Sequence, residues 1–260
     1  MSISRRTTPH LIGLGELEEE LVIAREIQFS ILPDSMPQVP GYDLTGILRP
    51  ANHTGGDMFD LVTLDRGLFV LLGDATGHGA GPAMSVTQMQ AMLRVAFRLG
   101  AGLDEAYQHT NNQLAEDLPE DRFVTAFMGF LDPATHEVTY HSAGQGPILH
   151  YHRGADQCDW HEPTTFPLGS IEVESVGSHH TLALASGDIM ALISDGVYEF
   201  ANAEGQLFGQ EGVARVLREN LDRSMAELGQ SMLDELARFG DISSQEDDIT
   251  IVLIRRDHEH

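Results

Sequence analysis

The chain has 260 residues, enough for one large domain, and 42% of them are hydrophobic, so a globular protein is predicted. Its 40 acidic residues outnumber 15 basic ones and give a formal net charge of -25. Nucleic acid is therefore disfavoured as a partner, because neutralising phosphates requires a basic patch. Every basic residue is an arginine, and the lack of lysine excludes Schiff-base and P-loop chemistry.

The single cysteine, Cys158, permits no intramolecular disulfide, which is typical of a reducing compartment. No apolar run reaches the length of a membrane span. Arg5 and Arg6, followed by a short apolar stretch, are too weak a pattern for a signal peptide. We therefore expect a cytoplasmic protein that does not bind a membrane.

The N-terminal region predicts a loose arm followed by an amphipathic helix over residues 16–31, where apolar residues follow a 3–4 spacing. Leu32-Pro33 ends this helix. Two interpretations stay open: the helix packs on its own domain, or it forms a short coiled coil that dimerises or docks a partner. The predicted division of the chain has three parts. Residues 1–33 form the arm and its linker or dimerisation helix, residues 34–256 form one globular domain, and residues 257–260 form a tail.

The remaining pattern consists of short apolar runs, punctuated by Gly, Asp and Pro, and of two pairs of amphipathic helices. Residues 152–180 are expected to be irregular. Strands are predicted over 42–48, 58–64, 68–72, 123–131, 137–142, 147–151, 180–185, 189–193 and 249–255. Helices are predicted over 80–99, 103–118, 210–220 and 224–239. This order lacks the strict alternation of a parallel α/β fold and predicts an α+β fold, with helix pairs covering two stacked antiparallel sheets.

Three of the apolar strands carry aspartates at their ends. Asp74 and Asp195 each follow a strand, whereas Asp247 precedes one. If the third strand runs antiparallel to the others, all three acids lie on the same edge of the sheet. Asp57 follows two glycines, which allow close backbone approach, and adds a fourth acid.

Clustered carboxylates would repel one another and some of their pKa values would rise, unless a divalent cation is bound. Carboxylate oxygens favour Mg²⁺ or Mn²⁺ over zinc. The alternative is that each aspartate merely caps a turn. Two ions sharing one carboxylate would activate water for attack on a phosphoryl group. These residues alone therefore predict a metal-dependent hydrolase.

Five short motifs follow one another in the chain: Gly55-Gly56-Asp57-Met58-Phe59-Asp60, Gly73-Asp74-Ala75-Thr76-Gly77-His78-Gly79, Ser142-Ala143-Gly144-Gln145-Gly146-Pro147, Ser194-Asp195-Gly196 and Asp247-Asp248-Ile249-Thr250. This ordered set, within about residues 19–256, resembles the PPM (type 2C-like) Ser/Thr protein phosphatases. It is most similar to the bacterial branch that contains stage II sporulation protein E and the stress-response regulators of sigma factors. The resemblance implies a four-layer αββα sandwich with two Mn²⁺ or Mg²⁺ ions between the sheets.

The resemblance also implies a role for each acid. Asp74 would bridge the two ions, and Ala75 would offer its backbone carbonyl. Asp57 would serve one ion directly or through water, which makes Asp57 and Asp74 the catalytic pair. Asp195 and Asp247 would hold the other ion.

Four further residues are supporting or uncertain candidates: Asp60, Asp248, His78 and Arg49. His78 lies four residues after Asp74, whereas the eukaryotic branch places its candidate general acid where Thr76 lies here. Arg49 is the nearest candidate for a phosphate-binding arginine. Gln145 replaces the histidine that is usual in the third motif.

Three pairs of histidines stand outside these motifs: His150 and His152, His179 and His180, and His258 and His260. They fall on a strand, in a loop and in the tail, and the sequence shows no third ligand for any of them. A structural role is the ordinary interpretation of such pairs.

The primary hypothesis is a phosphatase that acts on phosphoserine or phosphothreonine. The resemblance implies a phosphorylated regulatory protein as substrate, such as an anti-sigma-factor antagonist. Two alternatives stay open: a non-catalytic partner-binding module on the same fold, and a metal-dependent phosphomonoesterase for small molecules.

Overall fold

The computed structural model describes residues 14–77 and 79–257. Every strand and long helix predicted from the sequence is present, with ends that shift by a few residues. The helices are α1 (Leu14–Ser30), α2 (Ala80–Arg98), α3 (Leu103–Asp117), α4 (Asp195–Tyr198), α5 (Gly209–Glu219) and α6 (Met225–Phe239). The strands are β1 (Tyr42–Arg49), β2 (Asp57–Leu64), β3 (Gly67–Ala75), β4 (Val124–Asp132), β5 (Glu137–Ala143), β6 (Ile148–His152), β7 (Gln157–His161), β8 (His180–Ala183), β9 (Ile189–Ile193) and β10 (Ile249–Arg256).

These strands form two five-stranded sheets, and neighbouring strands pair antiparallel. Sheet A has the order β1-β10-β9-β6-β7, and sheet B has the order β2-β3-β4-β5-β8. The strands associated with Asp74, Asp195 and Asp247 are therefore interior strands. Their ends are held on both sides by neighbouring strands, which makes them rigid positions for a site.

Three apolar layers separate the two sheets and the helices. Phe59, Leu72 and Val252 belong to the layer between the sheets. A second layer joins sheet A to α4, α5 and α6, and a third joins sheet B to α2 and α3. Each fully buried Leu or Phe contributes about 1.5–3 kcal/mol. The predicted α+β class and the four-layer αββα sandwich are both confirmed.

Strand β3 shows why these strands are continuous apolar runs in the sequence. Leu68, Val70 and Leu72 face the layer between the sheets, whereas Phe69 and Leu71 face α2 and α3. Successive side chains of a strand point to opposite faces. Because both faces of sheet B are covered, each of these positions is apolar, and each is at most 1% exposed.

The expectation of an irregular segment over 152–180 was wrong in one part. Strand β7, Gln157–His161, pairs with β6 along the edge of sheet A. Its residues are mainly half-buried, and it lacks the apolar run that identified the other strands. An edge strand with one partly wet face does not require such a run.

Helix α1 packs on α2 and the neighbouring loops near its C-terminal end, where Gln28 is buried. Val22, Ile23 and Ile27 are instead exposed, by 42%, 55% and 57%. The helix is therefore part of the domain surface and also presents an uncovered apolar strip. Within the described residues, no helix is both long enough and apolar enough to cross a bilayer.

Candidate metal centre

The predicted aspartates meet at one end of the sandwich. Strands β9 and β10 are antiparallel neighbours, with Ile193 opposite Ile251, so Asp195 and Asp247 emerge together at the end of sheet A. Asp74 comes from β3, which belongs to sheet B. The expectation of a single sheet edge was therefore wrong, because hydrophobic patterns do not tell which of two sheets a strand joins. The acids come from two sheets that face each other.

Asp57 and Asp74 lie directly opposite each other in the β2–β3 ladder. Asp57 is only 1% exposed, and its Oδ2 accepts a hydrogen bond from Thr250 Oγ1 of β10. Because Thr250 belongs to sheet A, this hydrogen bond joins the two sheets beneath the cluster. The orientation of Asp57 is thereby fixed from the opposite sheet.

The electrostatics of this cluster are unfavourable without a cation. Burial raises the pKa of Asp57 well above its usual range, and the adjacent Asp74 charge adds to the effect. Burial, followed by the charges of Asp195 and Asp247, raises the pKa of Asp74 to about 8. Partial desolvation and the charge of Asp247 also raise the pKa of the more exposed Asp195. Several carboxylates that oppose one another's ionisation are what a divalent cation relieves.

A cavity of about 290 Å³ opens beside these acids. Its lining consists of Asp74, Ala75, Thr76, Gly77, Phe123, Thr125, Asp195, Glu246 and Asp247. A Cβ atom on Gly56 would lie 2.6 Å from the Ala75 carbonyl oxygen and 3.3 Å from Asp74 Oδ1. Only glycine leaves that space free. The oxygen donors, the raised pKa values and this open space fit the predicted Mg²⁺ or Mn²⁺.

Asp248 has a different role from Asp247. It is 3% exposed, and its carboxylate accepts hydrogen bonds from the backbone N–H groups of Ala51, at 2.7 Å, and Asp57, at 3.2 Å. A Cβ atom on Gly55 would overlap this carboxylate. Asp248 therefore fixes the loop that leads into β2, while Asp247 lines the cavity.

The other uncertain candidates lie in separate environments. Asp60 faces α2, where Arg94 Nε and Nη2 each donate to its carboxylate at 2.6 Å. Arg49 Nη2 donates to the carbonyl oxygen of Ile242 at 3.3 Å, in the segment that leads to Asp247. His78 lies outside the described residues.

Gln145 bridges the two sheets next to the cavity, which the sequence did not reveal. Its Oε1 accepts a hydrogen bond from Thr125 Oγ1 of β4 at 3.0 Å, and its Nε2 donates to the Ile193 carbonyl of β9 at 3.4 Å. The signal that the sequence did offer was that Gln145 stands where this motif usually has a histidine.

Two further residues near the site were missed in the sequence. Gln28 of α1 donates to the Gly55 carbonyl at 2.8 Å and accepts from the Gly55 N–H at 3.2 Å. Arg122 Nη1 donates to the Thr76 carbonyl at 3.1 Å, on the loop that lines the cavity. Both contacts join segments that are distant in sequence, so local patterns carried no signal for them.

The fold and this site define a PP2C-type phosphatase domain. The SiaA-PP2C domain of Pseudomonas aeruginosa has the same fold, with a TM-score of 0.80 over 94% of this chain and 98% of that chain, at 20% identity. The structure of the RsbU and RsbW domains of Rv1364c from Mycobacterium tuberculosis matches with a TM-score of 0.74 at 27% identity. That match covers 87% of this chain and 63% of the other.

The family model for stage II sporulation protein E (SpoIIE) matches residues 65–257, and the chain belongs to this family. The matched range contains Asp74, Asp195 and Asp247, while Asp57 lies just before it. Phosphoserine phosphatase RsbU of Bacillus subtilis is 24% identical over 93% of this chain and 71% of its own length. Stage II sporulation protein E of the same organism is also 24% identical, but this chain spans only 30% of it.

Proposed function

We propose that this protein is a divalent-metal-dependent phosphatase that hydrolyses phosphoserine or phosphothreonine on a regulatory protein in the cytoplasm. The convergence of Asp57, Asp74, Asp195 and Asp247 at one end of the sandwich carries this proposal. Membership of the SpoIIE family, and the phosphoserine phosphatase named among its relatives, support the reaction type.

The four aspartates, together with the Ala75 carbonyl, would hold two Mg²⁺ or Mn²⁺ ions. Divalent ions in such sites supply an activated water and offset the charge of the phosphoryl group. The chain itself supplies rigid placement of the carboxylates. Thr250 orients Asp57, and Asp248 holds the loop before it.

We further propose that Arg122 contacts the substrate phosphate. Its Nη1 lies 3.6 Å from the Cβ position of Gly77 and 3.7 Å from that of Gly81, so the guanidinium lies along the loop beside the cavity. Arginine suits this role because its donors match phosphate oxygens. Arg122→Lys is expected to raise KM about 10-fold with a smaller change in kcat, whereas Arg66→Lys, on the distant surface, changes neither.

The surface beside the cavity favours a polypeptide substrate over a small molecule. A second cavity, of about 520 Å³, adjoins the first, shares Glu246 and Asp247 with it, and extends to Glu199, Phe200 and Asn202. Segments that flank a phosphorylated residue would occupy this cavity. A phosphorylated anti-sigma-factor antagonist is the substrate that we propose.

The test measures hydrolysis of p-nitrophenyl phosphate and of a phosphoprotein with Mn²⁺, with Mg²⁺ and with a chelator. Asp74→Asn should lose more than about 100-fold in rate, since substitutions behind a metal ligand already cost 10–100-fold. Asp222→Asn is the matched control, because that carboxylate is 94% exposed and pairs with Arg153 away from the cluster. Equal rates for Asp74→Asn and wild type would refute the proposed site.

Two alternatives give different results. A small-molecule phosphomonoesterase would turn over metabolites faster than phosphopeptides or phosphoproteins. A non-catalytic partner-binding module would show no heat of Mn²⁺ or Mg²⁺ binding in calorimetry at millimolar metal. The raised pKa values of Asp57 and Asp74 favour metal binding over the second alternative.

We also propose that α1 mediates a homodimer through its exposed strip of Val22, Ile23 and Ile27. Replacing Ile23 and Ile27 with Arg should convert a dimer to a monomer in sedimentation experiments. A wild-type monomer at high concentration would contradict this proposal.

A further inference from the structure

A second cluster of potential metal ligands lies at the opposite end of strand β9 from the aspartates. His150 and His152 lie on β6, and Asp188 lies directly before β9, which pairs with β6. Asp188 and Asp195 flank the five-residue strand β9, which places the two clusters roughly 20 Å apart. The histidine cluster therefore shares no ligand with the aspartate cluster.

The three side chains converge because they lie on one face of sheet A. Histidines two residues apart on a strand point to the same side. In the β6–β9 ladder His150 lies opposite Met190, so Asp188 falls next to His152 on that face. One nitrogen of each ring and one oxygen of Asp188 all lie within 4.8 Å of one another.

The distances suit a four-coordinate metal. His150 Nε2 lies 3.1 Å from Asp188 Oδ2, and His152 Nδ1 lies 3.5 Å from the same oxygen. Ligands 2.0–2.1 Å from a tetrahedral zinc ion are separated from one another by about 3.3 Å. Both observed separations are close to that value.

His152 has a conflict that a cation would resolve. Its Nε2 lies 2.9 Å from Asp159 Oδ2, while its Nδ1 faces Asp188. A neutral imidazole carries one N–H, so one of its nitrogens would point a lone pair at a carboxylate. Full protonation would instead place a charged ring against His150, whose ring centroid is only 3.9 Å away.

The surroundings already hold the ligands in place. Asp188 is 2% exposed, and its oxygens accept hydrogen bonds from the backbone N–H groups of Arg153 and Ala185, each at 3.0 Å. Asp159 would orient the second nitrogen of His152, as carboxylates commonly do behind metal-bound histidines. Burial and the adjacent His152 lower the pKa of His150, which favours the neutral, metal-binding form.

A third imidazole lies beside this group. His161 stacks near His150 with a centroid distance of 6.2 Å, and its buried Nε2 has no hydrogen-bond partner within the described residues. Two or three imidazoles with one carboxylate form a donor set suited to zinc and related ions rather than to Mg²⁺.

We propose that His150, His152 and Asp188 form a second metal site, for a transition-metal dication such as Zn²⁺, separate from the aspartate centre. The ion would join β6 to the turn before β9, and the contact of His152 with Asp159 would connect this site to the edge strand β7. This site stabilises the edge of sheet A that lies farthest from β1.

The test titrates Zn²⁺ against a chromophoric chelator in excess Mg²⁺, using the full-length Asp74→Asn protein so that the aspartate centre is weakened. His258 and His260, which lie outside the described residues, are replaced by Ala in every variant. One equivalent of Zn²⁺ should bind. His152→Ala should raise the Kd more than about 100-fold, and Asp159→Asn should raise it 10–100-fold.

His179→Ala is the matched control. His179 also contacts a carboxylate, Asp104, at 3.1 Å, and His141 contacts the same oxygen at 2.8 Å, but these two rings are 6.4 Å apart. Zinc affinity should be unchanged in this variant. Equal Kd values for His152→Ala and its parent, or equal losses in His152→Ala and His179→Ala, would overturn the proposal.

A second measurement needs no substitution at the site. In NMR spectra, Zn²⁺ should shift the imidazole signals of His150 and His152 and leave those of His141 and His179 in place. Unchanged His150 and His152 signals would also overturn it. Because the site is separate from Asp74, loss of phosphatase activity leaves this outcome unaffected.

Discussion

Asp57 and Asp60 lie three residues apart on strand β2 and are both almost fully buried, yet they have opposite electrostatic environments. Asp60 faces α2, where Arg94 donates two hydrogen bonds and Gln90 donates a third, at 3.1 Å. Asp57 faces the other sheet, and its opposite neighbour is the carboxylate of Asp74. An odd spacing on a strand places the two side chains on opposite faces.

The contrast shows two ways of keeping a buried carboxylate charged. On the helix side, the protein supplies the counter-ion itself. On the inner side, it supplies a second carboxylate, and the counter-ion has to come from solution. A buried charge requires a partner, so the first arrangement is structural, and the second is the site that we propose binds metal.

The largest expected effect comes from removing the counter-ion of Asp60. Arg94→Met leaves a buried carboxylate unpaired, which should lower the unfolding free energy by about 3–5 kcal/mol. Urea denaturation measures this loss. The double variant Asp60→Asn with Arg94→Met should recover most of it, because no charge remains. A loss below about 1 kcal/mol in the single variant would contradict the assigned pairing.

A change of opposite sign in the free energy of unfolding is expected when the carboxylate of Asp74, on the inner face, is removed. The folded-state pKa of Asp74 is about 8, above its usual 3.8, so the folded protein favours the protonated form. The contribution of Asp74 to the free energy of unfolding is therefore most favourable below about pH 4, and this stabilisation is lost as the pH rises through 8. Without metal, Asp74→Asn should therefore stabilise the protein by about 2–3 kcal/mol at pH 8, and by little at pH 4.

Urea denaturation in the presence of a chelator, across this pH range, checks that effect. Mg²⁺ should restore wild-type stability at pH 8 and change Asp74→Asn much less. If Asp74→Asn destabilises the metal-free protein at pH 8, the acids are held by protein contacts and the contrast with Asp60 disappears.

A smaller effect on stability is expected from the loop that precedes Asp57. Gln28→Ala removes the hydrogen bonds to both polar groups of Gly55 and should cost about 1 kcal/mol. Metal affinity, measured by calorimetry, should fall with it because the loop carries Asp57. Gln230→Ala, which removes an exposed contact to Asp234, is the control and should change neither quantity.

The element order and the approximate position of the site could be predicted from the sequence, because apolar runs and the aspartates at their ends are local signals. The placement of β3 in a different sheet from β9 and β10 could not, since β10 pairs with β1 and β9, which are distant from it in sequence. Alternation along β2 does place Asp57 and Asp60 on opposite faces, so that signal was present in the motif. Arg94 as the partner of Asp60 required the packing of α2.

The histidine cluster likewise depends on strand pairing that the sequence does not reveal. The sequence shows His150 and His152 two residues apart, but their neighbour Asp188 comes from a turn much later in the chain. Pairing between β6 and β9 creates that proximity. From the sequence alone, a pair of histidines without an evident third ligand therefore indicates a structural role.

The position of β10 has a consequence for how the protein is made. This strand follows every other strand along the chain, yet it lies inside sheet A, between β1 and β9. On the ribosome, all strands of sheet B can pair before β10, the neighbour of β1 in sheet A, has been synthesised. Asp248 and Thr250, which fix Asp57, emerge at that same late stage. We therefore expect the nascent chain to stay inactive until β10 has left the ribosome.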